Sequence, residues 1–67
     1  MEYEKGDKVV LTKLVDGHKP GAAGLVIRVD TGWLSRTRYS VLVGDTGEVL
    51  EQLVEDDLFS PERESAT

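Results

Sequence analysis

The decapeptide Gly21-Ala22-Ala23-Gly24-Leu25-Val26-Ile27-Arg28-Val29-Asp30 constrains the fold more than any other stretch of this chain. Two glycines separated only by alanines allow a sharp turn and a close approach of backbones, and the β-branched run that follows reads as a strand over residues 23–30. Strict alternation puts Val26 on the opposite face from Leu25 and Ile27. All of these apolar residues are satisfied only if both faces are partly covered or a bulge interrupts the strand.

The rest of the chain supplies partners for that strand. Gly6-Asp7 marks a turn into a first strand over residues 8–12, with Val9 and Leu11 inward and Lys8, Val10 and Thr12 outward or marginal. Residues 13–21 are polar and rich in turn formers, so they read as a loop in which His18 is solvated. Tyr39-Ser40-Val41-Leu42-Val43 alternates as a third strand, and Gly44-Asp45-Thr46-Gly47 turns into a fourth, Glu48 to Leu53. A single 3₁₀ turn through Glu55-Asp56-Asp57 then returns Leu58 and Phe59 as a short fifth strand. The competing pattern is an amphipathic helix within Gly47 to Leu58, because Leu50, Leu53, Val54 and Leu58 are spaced i, i+3, i+4 and i+8. The tight turn before it and the sheet's need of an antiparallel partner favour the strand.

The expected architecture is therefore all-β: a small five-stranded SH3-like barrel at residues 6–60, preceded by an extension (1–5) and followed by a mobile, disordered acidic tail (61–67). A 67-residue chain buries only about 60% of its unfolded surface. Without cysteines it has no disulfide or thiolate metal site to supplement that core, and one histidine cannot build a metal site unaided. No apolar run approaches a membrane span, and Met1 to Lys5 lacks the layout of a signal peptide, which points to the cytoplasm and away from membranes.

The net charge of −5 is unevenly distributed. Residues 1–20 balance, residues 21–43 carry Arg28, Arg36 and Arg38 against Asp30, and residues 44–67 hold eight acids against Arg63. That balance disfavours general nucleic-acid binding, which needs cations to neutralise phosphates, although a local arginine patch is compatible with it. Asp45-Thr46-Gly47 matches the aspartic-protease triplet, but such a site needs two carboxylates in a much larger scaffold. Glu55, Asp56 and Asp57 read as a solvated face, since a hard cation requires more oxygen ligands than the segment offers. No catalytic, cofactor or metal constellation is legible, and an enzyme is not expected.

The strongest functional hint is Trp33 beside Arg36, Arg38 and Tyr39, an aromatic and arginine cluster suited to stacking against a protein partner. Its structural counterpart has Trp33 and Leu34 capping one end of the core while the arginines answer nearby acids. Gly6-Asp7-Lys8-Val9, Gly21 to Val26 with Val29-Asp30, Tyr39 to Val43 and Val54-Glu55-Asp56-Asp57-Leu58 together resemble the SH3-like barrels. Around Gly21 to Asp30 the chain is similar to KOW-type segments, and its strand spacing and Glu-Asp-x-Leu ending resemble the small accessory barrel of photosystem I. The KOW resemblance implies an RNA- or DNA-binding barrel, but those segments are usually basic. The photosystem resemblance implies a small component of a larger complex. The primary expectation is a non-enzymatic module that binds an unidentified protein through this loop surface or a strand edge, as a monomer or weak homodimer.

Overall fold

The computed structural model describes residues 3–32 and 36–61, so the expected tail lies outside the described residues beyond Pro61. Five strands, β1 (Lys8–Leu11), β2 (Ala23–Asp30), β3 (Arg38–Val43), β4 (Val49–Leu53) and β5 (Leu58–Phe59), form one antiparallel sheet in the order β4-β3-β2-β1-β5. A 3₁₀ turn at Glu55–Asp57 enters β5. The all-β class, strand count and turn agree with the sequence.

Closure into a barrel does not occur, because β4 and β5 are the two ends of the strand order and share no pairing. The physical reason lies in those two strands. β5 is only two residues long, and β4 is bent at Gln52, whose φ of 65° belongs to the left-handed region.

Two register shifts give the sheet its inward face. Between β2 and β3, Val26 pairs with Val41 and Arg28 with Ser40, so Ile27 is an extra residue. The bulge reverses the parity of β2, which lets Val29 join Gly24 and Val26 on the core side. Both remedies open to this strand are therefore present: it bulges, and its outward face is also apolar. Between β3 and β4, Tyr39 pairs with Leu53 and Val41 with Leu50, leaving Glu51 and Gln52 against Ser40. This second bulge produces the three-residue spacing of Leu50 and Leu53 that imitates a helix.

The core consists of Val9, Leu11, Val26, Tyr39, Val41, Val43, Leu50, Leu53 and Leu58, joined by Tyr3. Tyr3 falls in the segment expected to be an extension, yet it is buried. Its ring meets Tyr39 edge-on at 5.7 Å, its backbone N–H donates to the Tyr39 hydroxyl (3.1 Å), and its own hydroxyl donates to the Leu58 carbonyl (3.2 Å).

Candidate interaction surface

Alternation in the strands that build the core also fixes what faces outward. Val10 pairs with Ala23 on one side and Phe59 on the other, giving one apolar row across β5, β1 and β2. The adjacent row runs Lys8, Leu25, Leu42, Val49 across β1 to β4. Leu25, Val49 and Phe59 are among the most exposed large apolar residues of the described chain, at 36%, 46% and 39%.

The small side chains of Ala23, Gly24 and Gly44 leave a shallow depression of about 440 Å³ in this face, walled by Leu25, Leu42, Val10 and Pro61. Among the described residues, Lys8 is the sole titratable side chain lining it. Such a surface can take up apolar side chains. Its lining holds, among the described residues, no hydroxyl, imidazole or carboxylate side chain. Among the described residues no group of three or more His, Asp or Glu could hold a metal ion.

The cluster singled out in the sequence is divided by the fold. Trp33 and Leu34 lie outside the described residues. Tyr39 is 1% exposed and its ring belongs to the core, so it presents no surface to a partner. Arg38, its neighbour along β3, is half-buried on the opposite face and registers against Asp30. Arg36 is exposed, with Nη2 3.2 Å from Oδ2 of Asp56, and Arg28 places Nε 3.2 Å from Oδ1 of Asp30. Arg28 and Arg36 thus answer acids of their own chain.

His18 is not the solvated loop residue expected. Val15 and His18 bridge each other around Asp16 and Gly17, both at positive φ, which makes a tight hairpin inside the 13–21 loop. The His18 side chain is 11% exposed, with Nε2 3.2 Å from Oε1 of Glu48, tying this loop to the residue that leads into β4.

The acids of the 3₁₀ turn are likewise not all solvated. Asp57 is buried. Its Oδ2 accepts from the Val54 N–H (3.1 Å) and its Oδ1 lies 2.7 Å from Lys13 Nζ. Burial alone would raise its pKa, but the Lys13 and Val54 contacts, with the field of Lys13 and Arg36, outweigh burial and hold the carboxyl below its ordinary value. Thr12 completes the junction by donating its N–H to the Asp57 carbonyl and its hydroxyl to the Asp56 carbonyl.

Sequence reasoning missed the outward apolar face. Its signal was present: Val10, Leu25, Leu42 and Val49 all occupy positions that alternation assigns to the outside. No family model matches this chain, nor does any curated protein or solved structure. No helix among the described residues is long and apolar enough to cross a membrane.

Proposed function

We propose that the chain is a cytoplasmic, non-enzymatic protein-interaction module whose contact surface is the outward face of β1 to β4. The observation that carries this is the continuous apolar row Leu25, Leu42 and Val49 beside the depression at Ala23 and Gly44. A contiguous exposed apolar patch on a small domain marks a contact site more often than a single exposed leucine does. The likeness to SH3-like barrels, in five short strands and a 3₁₀ turn before the last, belongs to the same reading.

The strand edges are poorer candidates than the face. β5 offers two residues, and β4 carries Glu51 and the bulge at Gln52, both of which blunt an edge against strand addition. Nucleic-acid binding is weakened further by the pairing of Arg28 with Asp30 and Arg36 with Asp56, which leaves fewer cations to meet phosphates.

The test is capture of protein from a lysate on the immobilised chain, compared across variants. Leu25→Lys and Val49→Lys should abolish capture, whereas Arg36→Ala and Arg38→Ala should leave it intact. The reverse pattern would return the contact to the arginine loop, and release of the bound material by nuclease would indicate nucleic acid.

A further inference from the structure

We propose that Val54 to Phe59, the 3₁₀ turn together with β5, is a strap that lifts from the sheet as a unit and so opens and closes the outer edge of β1. This device is independent of the contact-surface reading above.

The way β1 divides its backbone between two neighbours carries it. Leu11 donates its N–H to the Ala22 carbonyl (3.0 Å) on the β2 side, whereas Thr12 donates to the Asp57 carbonyl (2.9 Å) on the other side. Alternation along an antiparallel ladder then turns the N–H and C=O of Val9 toward β2 and those of Val10 toward Phe59. Val9 and Leu11 therefore belong to the β1–β2 ladder, and Val10 and Thr12 are closed off by the strap. The next position along the strap, opposite Lys8 in this register, is Pro61, which has no N–H to give, so the pairing stops at Phe59.

The strap is lightly fastened. β5 is two residues long, ends the strand order and pairs with β1 alone. Leu58 is its one buried apolar side chain, while Phe59 is exposed. The remaining fasteners are polar: Thr12 Oγ1 donates to the Asp56 carbonyl (2.8 Å), Arg36 meets Asp56, Lys13 meets Asp57, and the Tyr3 hydroxyl donates to the Leu58 carbonyl. Those of Thr12 and Arg36 are exposed, so water takes their place when the strap lifts.

By contrast, β3 buries Tyr39, Val41 and Val43 between two neighbouring strands. An element held by one leucine and exchangeable polar contacts opens at a lower free energy than the sheet it rests on. While it is open, the backbone groups of Val10 and Thr12 face solvent and β1 becomes an unpaired edge.

Native-state hydrogen exchange of the full chain, followed by NMR, tests this. After correction for intrinsic rates, the Val10, Thr12 and Phe59 amides should share one opening equilibrium and exchange about tenfold or more faster than those of Val9 and Leu11. Two variants fix the cause. Lys13→Met removes a contact that is lost both when the strap lifts and when the chain unfolds, so it should accelerate the strap amides and Leu11 by the same factor. Val29→Ala weakens packing against the core on β2, which stays in place while the strap is open. It should accelerate Leu11 and leave Val10, Thr12 and Phe59 unchanged. Val10 and Thr12 no faster than Val9 and Leu11 would overturn the proposal, and so would separate opening equilibria for Thr12 and Phe59. It also falls if Val29→Ala accelerates the strap amides along with Leu11, or if Lys13→Met leaves them unchanged.

Discussion

Gly24 of β2 and Val41 of β3 are diagonal neighbours packed so closely that a Cβ added at Gly24 would lie 2.5 Å from Cγ1 of Val41 and 2.9 Å from the Leu42 carbonyl oxygen. The backbone of β2 thus lies against the core with no room for a methyl group. Gly24→Ala should destabilise the domain by about 2 kcal/mol or more, since forcing extra volume into a packed core displaces side chains and backbone together. Gly44→Ala is the control. Its Cβ would meet only the Ala23 carbonyl oxygen at 3.8 Å, so urea unfolding should place it within about 0.5 kcal/mol of the parent.

Gly21 and Gly24 play the two parts that the sequence assigns to such a pair. Gly21, at φ 92°, supplies the turn, and Gly24 supplies the close approach. The strands were legible because period-two alternation matches burial throughout β1 and places Tyr39, Val41 and Val43 of β3 in the core, although Ser40 between them is buried as well. Bulges were harder to see. An extra residue at Ile27 or in the Glu51-Gln52 pair shifts parity without any change in composition, so Leu50 and Leu53 could imitate a helix. The candidate site was less legible still. Trp33 and the arginines stand out by residue type, whereas the apolar outward face depends on the register between strands, which no single segment reveals. The hairpin at Asp16-Gly17 carried a recognisable signal, but it was absorbed into a longer loop.

Gln52 adopts φ 65° at the second bulge, a conformation that costs an L residue about 1–2 kcal/mol. Gln52→Gly relieves that strain at some cost in unfolded-state entropy, so thermal unfolding should show unchanged stability or a gain of up to about 1 kcal/mol. Gln52→Val should lose about 1 kcal/mol or more, because a β-branched side chain fits the left-handed region worst. Equal effects from the two variants would mean that the bulge relaxes when the side chain changes.

Tyr3 makes the first residues part of the core. Deleting residues 1–5 removes a buried ring, its edge-on contact with Tyr39 and two hydrogen bonds, at a cost of about 3–5 kcal/mol for the ring. That is a large share of the stability of a domain this small. The truncated chain should therefore be largely unfolded by circular dichroism at room temperature. Tyr39→Phe removes just the acceptor for the Tyr3 N–H and should cost about 1 kcal/mol. A truncated chain as stable as the parent would return residues 1–5 to a dispensable extension.

Asp57 gives the domain a defined response to acid. Its carboxyl titrates below the ordinary aspartate range in the folded chain and near pH 3.9 in the unfolded one. The folded state therefore binds the proton less readily, so the contribution is complete above about pH 4 and is lost as pH falls through the folded-state pKa. Protonation costs the ion pair with Lys13 and weakens the carboxylate that accepts from Val54, which loosens the turn leading into β5. Asp57→Asn should accordingly be less stable than the parent at neutral pH by about 1 kcal/mol, the scale of a lost capping interaction. The difference should shrink as the pH is lowered below 4. Lys13→Met should reproduce part of the neutral-pH loss, because it removes the closest cation and leaves the Val54 hydrogen bond in place. Urea unfolding of the three chains between pH 2 and pH 7 decides the matter: a difference between parent and Asp57→Asn that does not change with pH would show that the carboxylate's charge contributes nothing to holding β5 on the sheet.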